Sequence, residues 1–512
     1  MGLSRSKLGP ALRMHASRRF GLVAALAVAL ASGLGLRERL RSASENLGVS
    51  LDLKLSPSAW QGLRDQPREK VRGSCVLGTG AEVPAEIHLK GTSSFEPIDH
   101  YPSFTVKLLE PSQPLPGKFH LNNSAQDKSF CRDIVARHLY RRVGVPVPEA
   151  THAFVTLNTT NRPRPYVLAA AVNQAFLEAA FPDCDGDLFE GETSGCHPRR
   201  WSGHSTPAPF GEPSVDWFLS SRDHAGNFEK FIAAEYLVSH TDGYLTARNN
   251  YWVYRCTKHS ECFMFPHTLD NTFHSSYWVL TQPVQGKAAV ALLKVPEHRS
   301  RIKQLLKQHS GEDAVREILA LLRTNKTTLL GGDRGYNPVP ICTRIEVMER
   351  QTLQHFANLM FAFRAEEGKI FFTDDFRRPE RWFDASREQI VATNVVPRLE
   401  GPPLPGTQRY LQCHVMIRPG SYRWLQPISV ERPGLADEIS LEVVGPGCSV
   451  KKRTATQGAS HRTVMAVDFT VSSSTDARLF ELELARFRVT ALSSNVHAAI
   501  RLSEGDLQRI EP

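Results

Sequence analysis

No pair of cysteines in this chain is spaced as Cys-x-x-Cys, and no histidine cluster stands beside the nine cysteines, which excludes a structural zinc site of the usual four-ligand kind. There is no Gly-x-Ser-x-Gly elbow, so a serine hydrolase of that design is excluded too. Internal repeats and low-complexity tracts are absent, which leaves no basis for a solenoid. Zinc-finger, homeodomain and RNA-binding signatures are also missing. The formal charge of +9 does not replace them, because eight basic residues fall within positions 1–41 and the remainder is close to neutral. Nucleic acid is therefore set aside as a partner. What is present is ordinary globular composition, 41% apolar and 22% charged, in a chain of 512 residues long enough for two domains and an N-terminal segment.

That segment reads as an export signal. Arg5, Lys7, Arg13, Arg18 and Arg19 precede an apolar run from Phe20 to Leu36 that contains no charge. Ala29 and Ala31 form an A-x-A pattern suited to cleavage after Ala31, and the run is also just long enough to stay as an anchor. Either outcome predicts an exported body: periplasmic, secreted or at the cell surface. The membrane would be touched only through this segment, if it is not removed. Cysteine usage agrees with an oxidising compartment. Cys184 with Cys196, Cys256 with Cys262 and Cys413 with Cys448 are the expected local disulfides, and buried free thiols are the alternative.

Along the chain, Val83 to Lys90 and Ser103 to Leu109 alternate as strands, with the tetrapeptide Gly-Thr-Ser-Ser (91–94) between them. Such a turn presents backbone N–H groups to phosphate or is a plain hairpin. Residues 127–143 predict a helix with Asp127 at its N-cap, an apolar stripe through Phe130, Ile134, Val135 and Leu139, and a stop at Gly144 and Pro146. A second helix, from Asn227 to about Ser239, carries Phe228, Phe231, Ile232 and Tyr236 on one face. Further helices are expected over 298–323 and 344–363. Beyond Gly368 short alternating runs and Pro-Gly turns predict a β-sandwich of about 140 residues.

Chemistry concentrates in residues 240–273. Asp242 sits in an Asp-Gly turn, and Asn249 and Asn250 follow it. Two runs of strand formers, Tyr251–Tyr254 and Phe263–Phe265, then lead to Asp270. An antiparallel pairing of those runs returns Asp270 towards Asp242 and the two Asn. Phosphoryl transfer asks for this set: one carboxylate to accept the proton of an incoming hydroxyl, and an Asn and an Asp to hold magnesium on the phosphates. The plain alternative is a surface hairpin with turn-capping Asx residues. His240 and His267 are either orienting or structural.

The segments TDGYLTARNNYWVY and FPHTLDNTF resemble the CotH family, the spore-coat-protein-H-like atypical protein kinases. Three weaker stretches stand in the family's order, at 87–108, 118–148 and 165–181, and the resemblance spans roughly residues 50 to 275. It implies an α+β chain with a divergent bilobal kinase-like domain (42–367), followed here by the β-sandwich (368–512). It also implies ATP, Mg2+ or Mn2+, and transfer to Ser or Thr of envelope or secreted proteins. Carried over by residue, Asp242 is the catalytic base, and Asn249, Asn250 and Asp270 are metal ligands. Lys107 or Lys90 would steady the phosphates with the Gly91, Ser93 and Ser94 turn, and Lys107 is the suggested partner of Asp133. Three departures stand out: Tyr101 and Ala169-Ala170 where relatives often carry Lys and Lys-Glu, and Thr268 in place of the first Asp of a DxD. They keep open a catalytically silent, structural or adhesive relative.

Overall fold

The computed structural model describes residues 48–510 except 93, 111–114, 116, 159–161, 183, 200–207, 220–221, 257, 259–260, 274–277, 332–335, 370–382, 385–388, 391–397, 400–408, 430–438, 458–461, 492–499 and 503–505. The expected export segment and Ser93 lie outside the described residues. No described helix is long and apolar enough to cross a membrane.

The chain begins with seven strands: β1 (Val49–Leu55), β2 (Val71–Leu77), β3 (Glu82–Lys90), β4 (Ser103–Leu108), β5 (Lys118–Asn122), β6 (Ala150–Leu157) and β7 (Arg164–Ala170). They close into a barrel in the order β1-β2-β3-β4-β5-β7-β6, and the seam between β1 and β6 is its parallel pair. The period of two fills the interior. Leu51, Leu53, Leu55, Ile87, Leu89, Phe104, Val106, Phe119, Leu121 and Leu168 share one buried cluster. Outward positions of β3, β4 and β5 carry polar side chains, and these become the wall of a cleft. Helix α1 (Pro57–Asp65) starts where the Ser56 hydroxyl accepts the Ala59 N–H at 3.1 Å, with Pro57 in the first turn.

Helix α2 (Arg132–Val143) crosses between β5 and β6, and Gly144 stops it in the left-handed region at φ 87°. The expected start at Asp127 is corrected to Arg132. Asp127 still serves that end, because its Oδ2 accepts the Arg132 N–H at 2.8 Å from a turn five residues back. There follow α3 (Gln174–Ala180), β8 (Gly186–Glu192), β9 (Gly195–Arg199), α4 (Asp216–Leu219), α5 (Arg222–Leu237), α6 (Tyr244–Ala247), β10 (Tyr251–Cys256) and β11 (Glu261–Pro266). The four strands form one sheet in the order β11-β10-β8-β9. Helices α7 (Trp278–Thr281), α8 (Lys287–Leu293), α9 (Pro296–His309), α10 (Glu312–Leu330) and α11 (Val339–Glu366) complete the region. The helix expected over 298–323 is two helices, interrupted at Ser310 and Gly311. Phe228, Phe231, Ile232 and Tyr236 of α5 lie in the common core, as the pattern of that helix predicts.

Beyond α11 the described residues form a five-stranded and a six-stranded antiparallel sheet. Leu411, Val415 and Phe487 from one and Trp424 and Phe469 from the other belong to a single buried cluster. The segment between the strands Arg462–Val471 and Glu483–Ala491 reaches back to the helices, where Phe480 meets Phe363 edge to face at 5.3 Å.

The expected disulfides are corrected. The bond formed is Cys184–Cys256, with Cα atoms 5.4 Å apart, and Cys196, Cys262, Cys413 and Cys448 are free thiols. Sheet order decides this. β8 and β10 are neighbours with Gly186 opposite Cys256, so Cys184, two residues earlier, lies beside it. Cys262 is opposite Arg255, one position out of register with Cys256, and therefore points to the other face. Cys196 instead meets the Tyr251 hydroxyl at 3.6 Å. Cys413 and Cys448 lie on strands of different sheets, opposite Phe487 and Val471.

Candidate functional site

A cleft of about 990 Å3 opens between the barrel and the region of α2, β8 and β10, large enough for a nucleotide. Its barrel wall is made of outward residues of β3, β4, β5 and β7, among them His88, Lys90, Ser103, Thr105, His120, Asn122 and Ala169. The opposite side carries Asp133, Asp242, Asn249, Asn250, Thr268 and Asp270.

The Asp242 turn is held from three directions. Asn249 Nδ2 donates to Asp242 Oδ1 at 3.2 Å, and Asn250 Nδ2 donates to Oδ2 at 2.7 Å and to the Asp242 carbonyl at 2.9 Å. The β10–β11 pairing, Tyr251 opposite Pro266, then brings the next segment back, and the His267 N–H donates to the Asn250 carbonyl at 2.8 Å. Asn271 closes the loop. Its carbonyl accepts the N–H and the hydroxyl of Thr241, both at 3.0 Å, and its Nδ2 lies 3.5 Å from Asp242 Oδ2. Asp270, one residue earlier, faces the same cleft as Asp242.

The two asparagines differ. Thr268 Oγ1 donates to Asn250 Oδ1 at 2.6 Å, so both ends of that amide are committed within the turn, at a backbone φ of 55°. Asn249 gives its Nδ2 to Asp242, and among the described residues no donor reaches its Oδ1. Asn249 therefore retains an oxygen for a ligand, and Asn250 serves to aim Asp242.

Opposed charges share the inner cleft: Asp127, Asp133 and Asp270 against Lys90 and Arg137. Burial pushes the Asp270 carboxyl up to about 6, and the carboxylates of Asp133 and Asp127 add to the rise. Asp133 accepts Arg137 Nε at 3.0 Å on Oδ1, but its Oδ2 has no partner although the residue is only 5% exposed. Burial lowers the Lys90 ammonium to about 8 against the pull of Asp270 and Asp133, and its Nζ donates to Asn122 Oδ1 at 2.9 Å. An orphaned buried carboxylate oxygen, a carboxyl held above its usual range and a partly desolvated ammonium are what a site for a metal-bound polyphosphate needs. Among the described residues no three His, Cys, Asp or Glu side chains gather around a metal position. Magnesium does not require that, since it keeps several waters and takes one or two carboxylates plus phosphate oxygens.

The expected Lys107–Asp133 pair is not formed. Lys107 lies 4.0 Å from Glu86 with its side chain 55% exposed, and Asp133 pairs with Arg137 one turn along α2. The reason is reach: Lys107 follows Ser103 by four strand residues, which displaces it by about 13 Å from the end of β4 that meets the cleft. Lys90 is opposite Ser103, at the end that faces Asp133. Gly91 and Ser94 line the same end. Gly91 has φ 110°, and a Cβ there would lie 3.0 Å from the Phe95 nitrogen, so the turn needs glycine.

Of the three departures, Tyr101 is spent on structure. Its ring meets Tyr166 edge to face at 5.0 Å and its hydroxyl donates to the Pro165 carbonyl. Ala169 and Ala170 do line the cleft. Sequence reasoning missed His88, Thr105 and His120, although their positions alternate with core residues of β3, β4 and β5. Thr105 Oγ1 and His120 Nδ1 are 3.1 Å apart, and burial, reinforced by Lys90, depresses the His120 pKa well below its ordinary value. Trp252 was also missed as a wall residue; it lines the cleft with His267, and their rings meet edge to face at 4.8 Å.

Residues 87–212 match the model of a family described as CotH kinase protein. The resemblance to the CotH family is borne out there, over β3 to β9, and the chain is kinase-like in that segment. The turn at Asp242 follows the matched residues. No curated protein matches the chain. Among solved structures, the crystal structure of a Helicobacter pylori proinflammatory kinase, CtkA, is 8% identical and covers 54% of this chain and 96% of its own, at a TM-score of 0.24. That likeness is too slight to carry an argument.

Proposed function

We propose that this chain is an extracytoplasmic CotH-like protein kinase that transfers the γ-phosphate of ATP to Ser or Thr hydroxyls of envelope or secreted proteins. One observation carries the reading: the Asp242 carboxylate, aimed by two asparagine amides, shares a cleft with Asp270, Asp133 and Lys90. Asp242 would accept the proton of the incoming hydroxyl. Lys90, with the Gly91 and Ser94 turn, would steady the phosphates, and the family role of a buried cation needs no contribution from Lys107. Asp270 and Asn249 would hold Mg2+ or Mn2+, with Asn250 acting through Asp242. Bound metal would supply charge neutralisation on the phosphates. Asp133 would keep Arg137 and Lys90 in place.

On this reading residues 42–367 form the divergent bilobal domain, and the two sheets that follow form a β-sandwich over 368–512. The polybasic and apolar leader in 1–41 supports export, and so does the Cys184–Cys256 disulfide, which is expected of an oxidising compartment. The silent, adhesive reading draws on Ala169 and Ala170. Its force is reduced by Lys90, which brings a cation to the cleft from β3. Incubation of the purified protein with labelled ATP and Mg2+ or Mn2+ tests the proposal. Autophosphorylation is expected, and Asp242→Asn or Asp270→Ala should abolish it. Wild-type protein that shows no nucleotide-dependent thermal shift would overturn it.

A further inference from the structure

Helix α5 ends on a buried acid. Glu235 is 1% exposed, and a carboxylate so placed is costly unless its oxygens are met by donors. Three donors meet it. The Tyr140 hydroxyl donates to Oε1, His240 Nδ1 lies 2.7 Å from the same oxygen, and the Leu245 N–H points at Oε2 from 3.4 Å. The last two come from either side of Asp242: His240 precedes it by two residues and Leu245 follows it by three. The turn between them is pressed against the pair. A Cβ on Gly243 would lie 2.1 Å from Glu235 Oε2 and 2.4 Å from His240 Nδ1, so only glycine fits. Thr246 Oγ1 adds a bond to the His240 carbonyl at 3.0 Å.

The third donor leads elsewhere. Tyr140 is on α2, seven residues after Asp133 and three after Arg137, so all three occupy one side of that helix. The helix that brings Asp133 to the cleft thus reaches the underside of the Asp242 turn. A carboxylate kept only for packing would need donors of any origin, whereas these come from the two segments whose relative position sets the site.

We propose that Glu235 is a positioning residue: through His240 and the Leu245 N–H it fixes the turn that carries Asp242, and through Tyr140 it ties that turn to helix α2. The catalytic consequence rests on Asp242 as the base. The mechanical one does not.

Two variants, Glu235→Gln and Tyr140→Phe, and two readouts test this in the full chain. Glu235→Gln should lower kcat by about tenfold or more while KM for ATP changes by less than about threefold, as displacement of a positioned group does. Amide hydrogen exchange over residues 240–250 should accelerate by about tenfold, with strands β3 to β5 unaffected. Tyr140→Phe, which removes one donor and no charge, should shift both readouts in the same direction by less, and the double variant should fall short of the summed effects. If Glu235→Gln does not fold, Tyr140→Phe alone decides. Unchanged exchange at 240–250, or acceleration spread evenly over the chain, would overturn the proposal. Absence of phosphotransfer in the wild type would instead overturn the kinase reading, and the exchange measurement would still judge the tie.

Discussion

Replacing Lys90 with methionine should move stability and ligand binding in opposite directions. The side chain is partly buried, and its ammonium is held at about 8 against an ordinary value of 10.5, chiefly by desolvation. At about 1.4 kcal/mol per pH unit, keeping the proton in the folded state at pH 7 costs roughly 3 kcal/mol. Water at the mouth of the cleft and the bond to Asn122 reduce this, so about 1–3 kcal/mol is expected. The folded pKa lies below the unfolded one. Below pH 8 both states are charged and the cost is present in full. Between pH 8 and 10.5 the unfolded chain binds the extra proton, and the wild type gains stability as pH rises. Lys90→Met, similar in length and uncharged, should therefore have a higher urea midpoint than wild type at pH 7, and the difference should shrink by pH 10. The same change should weaken nucleotide binding about 10- to 100-fold, the worth of a charge-assisted hydrogen bond. A variant less stable than wild type at pH 7, or one with undiminished nucleotide affinity, would refute the reasoning.

Asp242→Asn should lower phosphotransfer about 100-fold or more while leaving the nucleotide-induced thermal shift in place, as expected for loss of a general base. Asp270 is raised to about 6, so its ionised form disfavours the folded state above that pH and the effect is gone below about 4, where both states are protonated. Asp270→Asn should accordingly stabilise metal-free protein at pH 7 and not at pH 4, and it should remove the added stabilisation by Mg2+ or Mn2+ with nucleotide. The disulfide joins residues 72 apart, and loss of such a crosslink destabilises by on the order of 4 kcal/mol in the chain-entropy account. Cys184→Ser should therefore lower the thermal midpoint, and a reductant should lower that of the wild type to match while leaving the variant unmoved.

What was legible in the chain was local. The alternation of β3 and β4, the stop of α2 at Gly144 and the return of Asp270 across the β10–β11 hairpin all follow from patterns within a few residues. Closure of the barrel does not, because it pairs Val49 with Ala153 across about a hundred residues. The choice between Lys90 and Lys107, and the expected Lys107–Asp133 pair that does not form, likewise depended on contacts distant in sequence. Lys90 and Lys107 are both outward on adjacent strands, and what distinguishes them is which lies at the strand end that meets the cleft beside α2. Short loops suggested Cys184–Cys196 and Cys256–Cys262, whereas the order of strands in the sheet set the partner. Glu235, three residues from the hydrophobic Ile232 and inside an amphipathic helix, resembles any solvated glutamate until Tyr140 and His240 are seen to converge on it.

The departure at Thr268 and the committed amide of Asn250 are one design choice. Along the chain Thr268 Oγ1–H, Asn250 Oδ1, Asn250 Nδ2 and Asp242 Oδ2, each donor meets an acceptor and the last acceptor is the carboxylate proposed as the base. An aspartate at 268 would bring a second acceptor against Asn250 Oδ1. The amide would have to turn over to avoid it, and its Nδ2 would then leave Asp242. A site with two carboxylates in this segment therefore needs a cation between 268 and 250 to mediate, and a site with one does not. Here the threonine proton takes that place. On the proposed reading, metal binding would then fall to Asp270 and to Asn249, whose amide oxygen is not committed within the turn as that of Asn250 is. The single carboxylate marks a site in which hydrogen bonds aim the base, and it need not mark a site that has lost its chemistry.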